Sequence, residues 1–346
     1  MLPMARLLAL QTAVPPHVLD QESVAAGARI LFGGRGDIER LMPVFANTGI
    51  ARRYSCVPIE WHLEPHGWTD RNALYIEHAV HLLEKVARAA IAEAGLEPED
   101  IDAIVTVSTT GVATPSLDAL IVERLGLRRD IERLPIFGLG CAGGVMGLAR
   151  AGAMARATPN SRVLFLCVEL CALTFRKNDL SKSNIVAAAL FGDGAAGAVI
   201  STAGDGPKLG VQGEHTWPQS LDVMGWDVAE DGLKPIFSQS IPSLVETKFG
   251  PVLSEFLRKN DLRLSDIEGF ACHPGGAKVL DALEMTFGMK PGGLADSRSV
   301  LRDYGNMSAV TALFVLQRMR IREQHRRGLM TTLGPGFSAA FLMIEP

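Results

Sequence analysis

The sequence predicts an α/β protein built twice over, with a parallel sheet covered by helices on both faces. Three observations carry this. Continuous apolar strands alternate with helices from Ile101 to Val168, and strands that are apolar on both sides must be buried on both sides. The two halves also share a pattern. Asp100-Ile-Asp leads into a strand followed by Leu117-Asp-Ala-Leu and Leu125-Gly126, while Asp266-Ile-Glu leads into a strand followed by Leu280-Asp-Ala-Leu and Phe287-Gly288, at offsets of 166, 163 and 162. At an offset of 165, Gly140-Cys-Ala-Gly-Gly-Val145 lies against Gly305-Asn-Met-Ser-Ala-Val310. Third, Leu134 to Leu148 reads as a buried strand that turns at glycine and presents Cys141 at the start of a helix, apolar nearly all round, from Val145 to Arg156.

In order, the chain opens with a strand over Arg6 to Val14 and helices over Val24 to Phe32 and Ile38 to Ala46. Irregular sequence follows. In the segment Arg52 to Asp70, His62 and His66 have metal-ligand spacing for a helix, but Pro65 and Gly67 argue against one, and no metal site is expected. Thr69 and Asp70 predict a cap for an amphipathic helix from Arg71 to Ala94, ended by Gly95, on which His78 and His81 read as surface or packing residues. Ile101 to Ser108, Leu134 to Leu139 and Arg162 to Val168 read as strands, and Leu117 to Leu125 as a helix. The duplication divides the chain into residues 1–210, carrying the cysteine, and 211–346.

Composition excludes several classes of function. At 346 residues and 47% hydrophobic, the chain has ample core, and a net charge of -4 argues against general nucleic-acid binding. The basic run Arg318 to Arg327 reads as the solvated end of a helix. Five cysteines without close pairing fit a reducing compartment, and no apolar run approaches a membrane span or a signal segment, so a cytoplasmic protein without an integral membrane segment is expected.

Cys141 is the candidate nucleophile. Unpaired N–H groups at a buried helix start favour thiolate over thiol, and the glycines let a carbonyl approach the sulfur. A lone buried cysteine is ordinarily core filling, and the glycine-flanked turn brings the two readings level. Because related halves meet about a pseudo-twofold axis, Cys141 should face the matching points of the second half, His273 and Asn306. A histidine at a strand end before Pro-Gly-Gly is poorly explained as core, whereas Gly-Asn is also an ordinary turn signal.

At these residues, along nearly its whole length, the sequence resembles the type III polyketide synthases, the chalcone-synthase-like enzymes of the thiolase fold. The resemblance rests on Gly140-Cys141 with its glycine-rich flank, Glu169-Leu-Cys-Ala-Leu-Thr-Phe-Arg176, Ala189-Leu-Phe-Gly-Asp-Gly-Ala195, His273-Pro-Gly-Gly276, Tyr304-Gly-Asn-Met-Ser308 and Gly334-Pro-Gly-Phe337. It implies a five-layered αβαβα architecture and a homodimer acting on CoA thioesters, with no metal or redox cofactor. It implies that Cys141 accepts an acyl group, with an imidazolium His273 and the helix start lowering its pKa. His273 and Asn306 would stabilise the enolate formed as malonyl-CoA loses carbon dioxide. The run Trp61 to Tyr75 and the short chain look most like the bacterial enzymes that make alkylpyrones and alkylresorcinols.

Other positions carry over unevenly. Phe191 matches one gatekeeping phenylalanine, but Pro235 stands at the second, unless Phe237 takes that place after a shift of two. Cys171 and Thr174 fall where the cavity is lined, and Thr114 where one subunit reaches its neighbour's cavity. Of the basic CoA-binding positions only Arg40 is kept, with Pro43 and Asn47 at others, and Lys278 is a candidate substitute. With a proline at the gate, longer fatty acyl starters are expected. Papain-like proteases share the order Cys, His, Asn but not the context or the duplication. The ketoacyl synthase III class usually has His-Gln-Ala-Asn where this chain has His273-Pro-Gly-Gly. A silent binding protein of the same fold would have no need of all three residues.

Overall fold

The computed structural model describes residues 3–33, 38–322 and 326–346. Strand β1 (Arg6–Ala13) is followed by β2 (His17–Asp20), α1 (Gln21–Phe32), α2 (Ile38–Leu41), α3 (Pro43–Ala46), β3 (Arg52–Ser55) and the long α4 (Trp68–Glu93). The first half continues through β4 (Ala103–Val107), α5 (Leu117–Leu125), β5 (Glu132–Ile136), α6 (Gly143–Ala157), β6 (Val163–Leu170), α7 (Lys182–Leu190) and β7 (Asp193–Ser201). Next come β8 (Lys208–Thr216), a ribbon of β9 (Met224–Ala229) and β10 (Gly232–Phe237), α8 (Ile241–Leu244), α9 (Gly250–Lys259) and β11 (Gly269–Cys272). Helices α10 (Ala277–Thr286), α11 (Ala295–Tyr304) and α12 (Thr311–Arg322) and strands β12 (Gly328–Gly334) and β13 (Ser338–Glu345) complete the chain.

Nine strands run in the order β11-β12-β13-β8-β1-β7-β6-β4-β5. Only Arg6 and Lys208 pair where β1 meets β8, so the strands on either side form two sheets joined at one edge. The apolar clusters show how they stack. Val105, Phe165 and Ala198 of the first sheet and Met330, Ala340 and Leu342 of the second enclose α6 and α12. The outer face of the first sheet is covered by α4 and α5, and that of the second by α9 and α10. Helices, sheet, helices, sheet and helices make the five layers of a thiolase fold.

The duplication is visible element by element. β4, α5, α6, β6 and β7 recur as β11, α10, α12, β12 and β13, and the turn holding Cys141 recurs as the turn Ser308–Val310. β5 has no counterpart; α11 occupies its place in chain order. β8 runs through the expected division at residue 210 and pairs with β13 nearly from end to end.

Several local expectations are corrected. The sheet is mixed: β5, β4 and β6 are parallel, but β7 is antiparallel to β6 and β1. β12 and β13 are antiparallel because only the turn Pro335–Phe337 joins them. β5 is not buried; it is the sheet's edge, with Phe137 exposed just beyond it. Pro43, which has no N–H to donate, divides the expected helix over 38–46 into α2 and α3. α4 begins at Trp68 behind Gly67, whose lack of a side chain rules out a side-chain cap, so Thr69 and Asp70 lie inside the first turn. His62 and His66 flank the Trp61 ring, His66 stacked on it at 3.9 Å. Among the described residues no three His, Cys, Asp or Glu side chains are grouped to hold a metal, and no helix is long and apolar enough to cross a membrane. Part of the run Arg318 to Arg327 lies outside the described residues; Arg318 bonds Asp296 at 2.8 Å and Arg327 bonds Glu345 at 2.9 Å.

Candidate active site

Cys141 sits in a short 3-10 turn, Gly140–Ala142, that leads into α6. Gly140 has φ +47°, and a Cβ there would lie 2.6 Å from the Pro335 ring, so the turn requires glycine. At Gly144 a Cβ would lie 2.1 Å from the Ala309 carbonyl, which is how closely the two central segments approach. The Cys141 carbonyl accepts a hydrogen bond from Thr332 Oγ1 at 2.8 Å, fixing the turn to β12.

His273 follows β11, its backbone N–H donating to Thr331 O at 2.9 Å. Its ring is buried, and Nδ1 has no hydrogen-bond partner among the described residues. Asn306 is held on both ends of its amide: Oδ1 accepts from Ser308 N at 2.9 Å and Nδ2 donates to Gly275 O at 3.2 Å. An amide nitrogen carries two hydrogens, so one stays available. Cys141, His273 and Asn306 line one cavity of about 640 Å³, together with Arg40 and Lys278.

The remaining candidates divide. Phe191, Cys171 and Thr174 line a second, smaller cavity of about 70 Å³, apolar and bounded by α1, α7 and the turn Cys171–Thr174. Between the two cavities stands a pair of rings. Phe237, on the wall of the Cys141 cavity, meets Phe191 edge to face at 5.5 Å, and Trp226 packs on Phe191 at 6.1 Å. Pro235 is a correction: it is buried in the ribbon opposite Trp226 and lines neither cavity. Strand alternation puts Pro235 and Phe237 on one face of the ribbon, and Phe237, at the strand end, also lines the Cys141 cavity. Thr114 is exposed and outside both cavities of its own chain.

Burial governs the electrostatics. Enclosure, reinforced by the nearby Glu169 carboxylate and opposed by a hydrogen bond with Ser308, pushes the Cys141 thiol up to about 12. Enclosure pushes His273 down to about 4. The expected lowered thiol pKa is therefore not a property of the turn by itself, because desolvation outweighs the partial charges of a helix end. A thiol proton moved onto the imidazole would leave opposite charges in one cavity, and opposite charges there stabilise each other.

Two features escaped the sequence reading. Glu169 is fully buried at the end of β6, accepting from Thr109 N at 3.1 Å and Ser308 Oγ at 3.4 Å, and burial raises its carboxyl to about 7. An acid ending an otherwise apolar strand was the available signal. Arg53, also buried, donates to the carbonyls of Ala188, Ala189 and Phe191, holding the end of α7 and with it the Phe191 backbone. Carbonyls in a helix's last turn lack partners, and the guanidinium supplies them.

Comparison with known proteins places this geometry. The N-terminal domain of the chalcone and stilbene synthases matches residues 58–205, and the C-terminal domain of that family matches residues 208–344. The chain belongs to the chalcone and stilbene synthase family. It is 38% identical to a Bacillus subtilis protein provisionally named a chalcone synthase, over 99% of both chains. It is 31% identical to a Mycobacterium tuberculosis polyketide synthase-like protein named for alpha-pyrone synthesis, over 97% of this chain and 90% of that one. The crystal structure of 1,3,6,8-tetrahydroxynaphthalene synthase from Streptomyces coelicolor, a bacterial type III polyketide synthase, superposes with a TM-score of 0.94 at 31% identity, covering 98% of each chain. As a type III polyketide synthase, the protein is an acyltransferase that performs decarboxylating condensation of malonyl-CoA.

Proposed function

We propose that this synthase loads an aliphatic acyl group from CoA onto Cys141, extends it with two or three malonyl units and closes the product as an alkylpyrone or alkylresorcinol. The observation that carries this is the apolar cavity behind the Phe191 and Phe237 rings. Its walls include Val24, Leu31, Phe175 and Ala187 as well as Cys171 and Thr174. An apolar wall favours an aliphatic chain, each buried methylene contributing about 0.8 kcal/mol. The relative named for alpha-pyrone synthesis supports the product class.

In this scheme His273 takes the Cys141 proton as the sulfur attacks the thioester, and returns it to the departing CoA thiolate. Malonyl-CoA then loses carbon dioxide, and the electron pair left on carbon is held as an enolate whose oxygen accepts hydrogen bonds from His273 and Asn306. That carbon attacks the acyl carbonyl, the carbon–sulfur bond to Cys141 breaks, and the lengthened chain remains on CoA for transfer back to the cysteine. CoA thioesters and side chains of the protein suffice for every step, without a metal or redox cofactor.

The open edge of β5 and the exposed Phe137 support a homodimer across that edge, with Thr114 reaching the partner's cavity. Light scattering should give twice the chain mass, and a fully active monomer would contradict it. The five free cysteines, all buried, support a reducing compartment, and we place the enzyme in the cytoplasm.

Starter choice is tested by kcat/KM for acetyl-, hexanoyl-, lauroyl- and p-coumaroyl-CoA, with mass analysis of products. Hexanoyl- or lauroyl-CoA should lead, and preference for p-coumaroyl-CoA would overturn the aliphatic reading.

A further inference from the structure

Arg40, Lys182 and Lys278 line the Cys141 cavity, and no aspartate or glutamate does. This is a concentration of positive charge in a chain whose net charge is -4. Lys182 is the first residue of α7 and Lys278 the second of α10. Both side chains are exposed, and among the described residues neither ammonium has an ion pair or hydrogen bond. Lysines elsewhere do find partners: Lys177 donates to Leu63 O at 2.5 Å, and Lys259 pairs with Glu255 at 3.4 Å. Segment 38–46 contributes one cation to the wall, Arg40.

Like charges gathered on a concave surface repel one another and raise the local potential, an arrangement that an anionic ligand relieves. A CoA thioester delivers its acyl carbon to Cys141 at one end and carries phosphoryl groups at the other. We infer that Lys182, with Lys278 and Arg40, holds the CoA phosphoryl groups, so that α7 and α10 supply most of the phosphate-binding charge. Lysine ammonium groups act here as compact point charges rather than as planar forks, tolerating either the pyrophosphate or the ribose phosphate. The inference rests on the condensing reaction on CoA thioesters and adds Lys182 to it.

The test compares malonyl-CoA, malonyl-dephospho-CoA and malonyl-N-acetylcysteamine, the last free of phosphate. Lys182→Ala and Lys278→Ala should each raise KM for malonyl-CoA by roughly tenfold, as the loss of one charge-assisted contact does. Turnover of the N-acetylcysteamine thioester should match the parent, Lys182→Arg should restore most of the malonyl-CoA affinity, and added salt should weaken the parent's affinity more than the variants'. A variant that loses its effect with malonyl-dephospho-CoA contacts the ribose phosphate; one that keeps it contacts the pyrophosphate. Equal losses on phosphate-containing and phosphate-free thioesters, or no loss on malonyl-CoA, would overturn the assignment. Failure of the parent itself to take an acyl group from CoA would instead overturn the reaction on which it rests.

Discussion

The backbones of Phe191 and Asn306 are paired. Asn306 N donates to Leu190 O at 2.8 Å and Gly192 N donates to Asn306 O at 3.0 Å, so the proposed gate residue and the proposed enolate donor are set against each other by main chain. Replacing the Phe191 side chain therefore leaves Asn306 in place. Phe191→Leu should shift starter preference toward longer acyl groups while malonyl-CoA decarboxylation stays close to the parent rate. Phe191→Ala should do the same with a larger stability loss, roughly 3 to 5 kcal/mol for a buried phenylalanine. Decarboxylation falling in step with starter selection in Phe191→Leu would show that the ring itself positions Asn306.

Asn306→Ala removes an amide donor from the cavity without touching the sulfur or the imidazole. Decarboxylation of malonyl-CoA should fall by 10²- to 10³-fold, about 2.7 to 4 kcal/mol, while acylation of Cys141 changes little. His273→Ala should slow both half-reactions, since it handles the thiol proton as well. Equal losses in both half-reactions for Asn306→Ala would contradict this division.

Because burial opposes charge on Cys141 and on His273 separately, the two should titrate as a pair. Alkylation of the thiol by iodoacetamide at pH 7 should be at least about tenfold slower in His273→Ala, one pKa unit being a factor of ten. In Cys141→Ala, the imidazole should lose its proton well below its ordinary range. A thiol equally reactive in His273→Ala would show that the turn, and not the pair, produces the thiolate.

Glu169 is held protonated by burial to about pH 7, against an ordinary 4.5. Between those values the folded protein binds more protons at this site than the unfolded chain does, so its contribution to stability falls as pH rises and is smallest above 7. A rise from 4.5 to about 7 corresponds to roughly 3 to 4 kcal/mol. Urea unfolding of the parent and Glu169→Gln should therefore diverge with pH, the variant gaining relative to the parent from pH 5 to pH 8. A constant difference across that window would place Glu169 as an ordinary low-pKa carboxylate. His273 contributes the opposite slope, its stabilising share being lost as pH falls from 6.5 toward 4.

Much of this was legible in the sequence because the signals were periodic or repeated. Continuous apolar runs marked β4 and β6 closely, the helix expected over Leu117 to Leu125 is α5, and the match between halves placed His273 and Asn306 opposite Cys141, in whose cavity both lie. What stayed hidden depended on contacts distant in the chain. That the Phe237 ring meets Phe191 follows from the packing of the ribbon on α7. Glu169 reads as one charge on a strand until Thr109 and Ser308 are seen around it, and no sequence signal singles out Lys182, which the fold places in the same cavity as Lys278. The edge position of β5 was equally invisible, since a half-buried edge strand and a buried one can carry the same residues.

In the proposed reaction Cys141 carries the growing chain. Incubating the enzyme with radiolabelled acyl-CoA, followed by intact mass and peptide mapping, shows where the acyl group goes. One acyl group on the peptide containing Cys141 in the parent, and none in a folded Cys141→Ala variant, is the predicted result. A label retained in that variant, or mapped to Cys171 or Cys272, would contradict it.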